Sequence, residues 1–263
     1  MDILLLTLVG ALSGVIAGLV GLAGGIVVVP ALTWMYGPSA LHTAIVISWF
    51  SVLFNSVGAA SKQLRMRTPE ERGRLLSSAR WFLAGVVVIT PLVALLASEA
   101  KHLVSKELVA VLQLCLAAVM LWPVSEASQQ KPARPVLDAS FGGLISGVST
   151  LIGVGGGTYT IAYFVYGAGA RFRDAIATAN LTGLTVGALS VAGYLSSQVL
   201  FQQHGAVAQA AGPISMGGMV AMIVSGVLAA PLGVKLSHRL PTKTLRQILI
   251  FALMVSAGRL LWT

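Results

Sequence analysis

Long apolar runs separated by short polar stretches occupy nearly the whole chain. They fall near residues 3–20, 25–36, 41–61, 79–98, 104–123, 138–152, 156–168, 173–197, 212–236 and 243–262. A helix needs about 20 apolar residues to cross the hydrocarbon of a bilayer. By that measure 41–61, 79–98, 104–123, 173–197, 212–236 and 243–262 are predicted spans, while 138–152 and 156–168 are each too short to cross comfortably. These two flank a cluster of glycines, which a continuous helix disfavours because each glycine costs up to about 1 kcal/mol relative to alanine. They read as half-helices that dip into the membrane and return. The segment before the first glycine cluster is longer and fits either description.

The glycine clusters are copies of one another. Gly14 to Pro30 reads GVIAGLVGLAGGIVVVP, and Gly143 to Ile161 reads GLISGVSTLIGVGGGTYTI, so that Gly21 falls on Gly153 and Gly37 on Gly169, both 132 residues apart. Ala44-Ile45 matches Ala175-Ile176, Thr90-Pro91 matches Ala230-Pro231, and Leu121-Trp122 matches Leu261-Trp262, in the same order. The chain is therefore predicted to be one membrane domain, residues 1–263, made of a first repeat (1–124), a polar, proline-containing linker (125–137) and a second repeat (138–263).

Composition agrees with this pattern. With 56% hydrophobic residues, 10% charged residues and a mean hydropathy of +0.88, the chain carries more apolar surface than a soluble domain of 263 residues could cover. Asp2 and the lack of a basic stretch before the first apolar run make that run a membrane element rather than a cleavable signal. The net charge of +9 comes from short clusters between apolar segments, which membrane topology explains without nucleic acid. Cys115, alone, can make no internal disulfide and reads as a buried small hydrophobe. No Cys/His spacing suits a metal, and no cofactor is expected.

Positive charge chooses the topology. With four crossings in each half, Lys62, Arg65, Arg67, Arg72, Arg74, Arg80, Lys131, Arg134 and Arg259 lie on one side, nine against the eight others. If each glycine-broken segment enters and leaves on one side, each half has three crossings, the halves are inverted, and only Lys101, Lys106 and Arg259 remain opposite fourteen. The positive-inside rule favours the second arrangement, with both termini outside. The predicted fold is an all-α integral membrane protein of two inverted repeats, each a glycine-broken re-entrant or half-helix segment followed by three transmembrane helices.

Irregular backbone in a bilayer must be buried in protein or line a wet cavity, so the two breaks should meet at a central site. A half-helix starting after a glycine cluster offers free N–H groups and the positive end of its dipole to an anion. On this ground Gly24, Gly25, Gly155, Gly156 and Gly157 are candidate ligand contacts, joined by Thr158 and Tyr159. Thr158 could instead cap its half-helix. Ser48, Ser51 and Asn55 lie on one face of the second segment, and Thr178, Asn180 and Thr182 begin its counterpart. The competing reading is that the hydroxyls bond their own helix's carbonyls, a route less open to Asn180. Gly10, Gly14, Gly18, Gly143 and Gly147 have the four-residue spacing of helix packing instead. Asp138, Glu99, Glu107 and Asp174 fall near segment ends, and His42 and His204 in external loops, so no proton relay is evident. Asp174 reads as a surface ion pair with its neighbours Arg171 and Arg173.

The glycine-rich openings GLVGLAGGIVVVP and GVSTLIGVGGGTYTI, with the Ala44-Ile45 and Ala175-Ile176 segments that follow, resemble the sulfite exporter TauE/SafE family over essentially the whole chain. The usual pattern differs here at Ala23, Ala162 and Asn180. The resemblance implies a multi-pass transporter of a prokaryotic cell (inner) membrane, exporting a small organosulfur anion such as sulfite or a sulfonate. The alternative is an anion channel or uniporter for other small anions. An enzyme is disfavoured, since there is no HExxH, no intramembrane Asp pair and no membrane Ser with Lys or His in reach. The expected partners are a small anionic substrate and the lipid bilayer, with a homodimer as an optional assembly and no nucleic acid.

Overall fold

The computed structural model describes residues 2–22, 24–96, 104–123, 131–200 and 215–262; Ala23, Glu99, Lys101, His204, residues 125–130 of the predicted linker and the loop following 200 lie outside the described residues. The helices in order are α1 (Asp2–Val20), α2 (Gly25–Tyr36), α3 (Leu41–Arg65, after a 3-10 turn at Pro38–Ala40), α4 (Pro69–Leu96) and α5 (Lys106–Met120). The second half repeats the series as α6 (Pro135–Ile152), α7 (Gly157–Ala162, running into a π turn at Tyr163–Gly167), α8 (Phe172–Leu200), α9 (Met216–Arg239) and α10 (Thr242–Trp262). No strand occurs among the described residues.

Seven of these helices are long and apolar enough to cross a membrane: those containing Ile3–Val20, Pro38–Arg65, Pro69–Leu96, Pro135–Ile152, Phe172–Ser197, Met216–Arg239 and Thr242–Trp262. Two expectations change. The segment thought too short, 138–152, is an 18-residue helix, because it starts three residues earlier at Pro135, where a proline's fixed φ suits a helix start. Conversely, the predicted span 104–123 gives a helix of only 15 residues, begun by Ser105, whose Oγ accepts from Leu108 N at 3.2 Å. The half-helix at 156–168 is α-helical for six residues only before the π turn. Cys115 is exposed, not buried, since α5 turns Val109, Ala110, Gln113, Leu116, Ala117 and Met120 inward.

Three packings position the centre. Along α1, Gly10, Gly14 and Gly18 meet the backbone of Met222, Gly226 and Ala230 in turn, so closely that a Cβ at any of the three would overlap a carbonyl. The two helices are thus parallel. The other pair that joins the halves, α6 on α4, packs as closely, with Gly142 against Phe82 and Gly85 against Ala139. Spacing alone pointed to Gly143 and Gly147, but a Cβ on Gly147 would stand 3.4 Å from Ile89 Cγ2, an ordinary contact. Gly147 faces side-chain tips, whereas Gly142 faces backbone. Between these pairs α3 and α8 run antiparallel: Trp49 meets Tyr194 with ring centroids 5.8 Å apart, Leu53 meets Gly187, and Arg67 Nη1 bonds Asp174 Oδ1 at 2.7 Å. Pro91 and Pro231 sit inside α4 and α9, the two helices the sequence repeat equates.

The basic loops gather at one end of the molecule. Arg67 follows α3 and pairs with Asp174 at the start of α8; Arg173 donates to the carbonyls of His238 (3.3 Å) and Leu240 (2.9 Å) after α9; Arg246 donates to Met120 and Leu121 at 2.6 Å. Asp174 therefore pairs with Arg67 rather than with Arg171 or Arg173. The end of α7 returns to this same end. Tyr163 Oη donates to Asp138 in the first turn of α6, and Lys131 Nζ donates to Gly167 O at 3.0 Å. Arg259, by contrast, lies over the Trp34 ring at 5.2 Å, near the ends of α10 and α2. His42 lies in the first turn of α3 rather than in a loop.

Candidate functional site

The two breaks cross each other directly. A Cβ on Gly25 would overlap Gly153 O, and one on Gly157 would overlap Gly21 O. The absence of side chains at Gly25 and Gly157 is thus accounted for by the close approach of two backbones. Gly21 packs on Ala179 and Ile176 of α8, and Gly153 packs on Ser48 and Ile45 of α3. Ser48 Oγ donates to Gly153 O at 2.6 Å and Trp49 Nε1 to Thr150 O at 3.0 Å, so α3 holds the second break while α8 lies against the first. The helices that follow the breaks each reach across to the other half.

The polar surroundings of the two breaks differ. At the first, Gly24 is left-handed (φ 87°) and faces Ser13 and Asn55. Asn55 Nδ2 donates to Ser13 Oγ at 2.7 Å and to Ser51 Oγ at 3.2 Å, and Ser13 and Ser51 are 3.5 Å apart. These groups largely satisfy one another, although Asn55 Oδ1 has no partner. Ser48, Ser51 and Asn55 were expected to share one face. They do so in α3, and from that face Ser48 reaches the second break and the other two the first.

At the second break the hydroxyls are left over. Gly155 and Gly156 are left-handed (φ 77° and 75°), and no side chain caps α7, so Thr158 is not the cap. A Cβ on Gly156 would have Ser149 Oγ and Thr182 Cγ2 both 3.5 Å away, enough room for a methyl. Ser149 Oγ, Thr158 Oγ1, Thr182 Oγ1 and both polar atoms of Asn180 are buried with no hydrogen-bond partner, on residues 0% exposed. Leaving a buried polar group unpaired costs about 1–3 kcal/mol, and native proteins rarely do so without reason. Thr178, by comparison, bonds the carbonyl of Asp174 at 3.0 Å, the local solution expected of a membrane threonine. Tyr159 packs against the core with its Oη also unpartnered. Ser13 and Ser149 are members of these clusters that spacing missed. They stand inside α1 and α6, helices read only for their glycines.

Cavities approach the crossing from both ends of α3. One of about 180 Å³ at the basic end is lined by Arg67, Arg74, Arg171 and Thr178. The other, about 240 Å³, reaches Ile45 and Trp49 from the side of Pro38 and His42. Among the described residues no group of three or more His, Cys, Asp or Glu could hold a metal. What gathers at the second break is a set of buried, neutral hydroxyls that can each donate or accept a hydrogen bond.

Comparison with known proteins places the chain. The profile of the family described as sulfite exporter TauE/SafE matches residues 6–260. A curated protein of Haemophilus influenzae (strain ATCC 51907 / DSM 11121 / KW20 / Rd), named "Probable membrane transporter protein", is 25% identical over 266 residues, covering 97% of this chain and 96% of its own. No solved structure matches.

Proposed function

We propose, because this chain belongs to the sulfite exporter TauE/SafE family and is a membrane transporter, that it exports a small organosulfur anion, sulfite or a sulfonate, held where its two breaks cross. The observation that carries this is the set of unpartnered buried hydroxyls on Ser149, Thr158 and Thr182 around the second break, with the unpartnered amide of Asn180 two residues before Thr182 on α8. A sulfonate or sulfite oxygen accepts several hydrogen bonds at once, and bonds to a charged group are worth about 1.5–3 kcal/mol each. The seat is lopsided, since the polar groups of the first break are occupied with one another. Outward movement needs no carboxylate, because a potential negative inside drives an anion out by about 2.3 kcal/mol per charge per 100 mV.

The same reading makes the halves inverted repeats. The antiparallel run of α3 and α8, which the sequence repeat equates, supports it, as does the return of α7 to the start of α6. In this arrangement each broken pair is a re-entrant hairpin, the basic end is cytoplasmic, and both termini are outside in a prokaryotic inner membrane. Single cysteines in a Cys115→Ala background, labelled in intact cells with an impermeant reagent, check the topology. Position 2 should label and position 70 should not; the reverse contradicts it.

The transport reading is tested with purified protein in liposomes loaded with sulfite, sulfonates, sulfate or carboxylates. Efflux of sulfite or a sulfonate should exceed that from empty liposomes and rise as the potential becomes negative inside. Flux confined to cations, neutral solutes or carboxylates would refute it.

A further inference from the structure

We infer that a second anion site, distinct from the crossing, lies in the cavity of about 180 Å³ at the basic end, with the guanidinium groups of Arg74 and Arg171 as its anchors for a small oxyanion. The cavity is lined by three arginines, Arg67, Arg74 and Arg171, and two carboxylates, Glu71 and Asp174, so it carries a net positive charge. Both acids are already engaged. Asp174 receives Arg67 at 2.7 Å, and Glu71 Oε2 accepts from Thr68 N at 2.9 Å in the reciprocal cap that starts α4, with Glu71 N donating to Thr68 Oγ1 at 3.3 Å. Arg74 and Arg171 are exposed, and their guanidinium groups make no hydrogen bond or ion pair with the described residues. Two unengaged guanidinium forks facing one concavity suit the planar, multi-oxygen face of a sulfite or sulfonate, to which arginine bonds bidentately.

Helix α8 runs from the wall of this cavity to the crossing. Thr178 lines the cavity, and Thr182 follows four residues later on the same face of α8, where it borders Gly156 and Ser149. A rise of about 6 Å along α8 therefore separates Thr178 in the basic cavity from Thr182 at the second break. The cavity is an antechamber, which concentrates the anion from the basic side before it enters the seat; charged clefts raise encounter rates by about 10- to 1000-fold, in a salt-dependent way. The direction of entry rests on the export reading above, whereas the anion site itself does not.

Phenylglyoxal modification of the unmutated protein, read at each arginine by peptide mass spectrometry, tests the site without relying on transport. Sodium methanesulfonate, a sulfonate that does not react with the reagent's aldehyde, against sodium chloride of equal ionic strength, should slow labelling of Arg74 and Arg171 at least about threefold, as expected for bidentate engagement, and leave the exposed Arg65 and Arg239 unchanged. In liposomes, the Arg74→Gln/Arg171→Gln double variant should raise the KM for sulfite about tenfold and flatten its salt dependence, with the maximal rate retained and the Lys/Lys double variant intermediate. Equal slowing at all four arginines, or none, would overturn the site even if sulfite is transported. Selective slowing at Arg74 and Arg171 with no sulfite or sulfonate flux by the parent would leave the site standing and overturn the export reading.

Discussion

Asn180→Leu should remove most sulfite or sulfonate transport while leaving the protein at least as stable as the parent. The side chain is 0% exposed and neither its Nδ2 nor its Oδ1 has a partner, so in the anion-free protein it is a liability that an apolar side chain of similar size relieves. With the anion bound, the same amide supplies a hydrogen bond to a charged group worth about 1.5–3 kcal/mol, so affinity should fall roughly 10- to 150-fold. Thr182→Val, which swaps one buried unpartnered hydroxyl for a methyl, should behave the same way on a smaller scale. Flux in liposomes and a melting curve in detergent are both needed. A purely structural residue would show the opposite pattern, with melting lowered and anion affinity kept.

Gly157→Ala should be the most destabilising single substitution considered. Its Cβ would overlap the carbonyl of Gly21, so the two breaks would have to move apart, and neither is a flexible side chain. Overpacking usually costs about 1–3 kcal/mol and more where nothing can yield, so a loss of about 3 kcal/mol or greater is expected. Gly25→Ala, aimed at Gly153 O, should match it, whereas Gly147→Ala should lie within about 0.5 kcal/mol of the parent, as for a substitution away from tight contacts. Gly156→Ala is a different case. It has space but a φ of 75°, so it should cost about 1–2 kcal/mol for the left-handed backbone while placing a methyl beside Ser149 and Thr182. Equal melting temperatures for Gly157→Ala and Gly147→Ala would contradict the crossing.

Much of this arrangement could be read from the chain because it depends on local signals. Hydrophobic run lengths located nearly every helix, and consecutive glycines located both breaks, since no helix interior favours GLAGG or GVGGG. The need to bury irregular backbone implied that the two breaks would meet, as Gly25 and Gly153 do. What spacing could not supply was the partner of each small residue. Gly147 has the same four-residue pattern as Gly10, Gly14, Gly18 and Gly143, yet it alone of these has room for a Cβ, while Gly142 and Gly85, outside the pattern, lie against backbone. Likewise Ser51 and Thr182 occupy equivalent places in the repeat, but one is satisfied by Ser13 and Asn55 and the other by nothing. The symmetry of the sequence concealed that difference, because it resides in the neighbours contributed by α1 and α6. Asp174 was assigned to the arginines beside it in sequence for a similar reason, when its partner lies 107 residues away.

The claim that the crossing of the breaks holds the anion is tested most directly by equilibrium binding of radiolabelled sulfite and a radiolabelled sulfonate to the purified parent protein and to a Ser149→Ala/Thr182→Val double variant. The parent should bind at least one of the two saturably, and the double variant, folded and melting no lower than the parent, should bind it at least about tenfold more weakly, as loss of a single hydrogen bond to a charged ligand would predict. Indistinguishable isotherms for the two proteins would contradict the account.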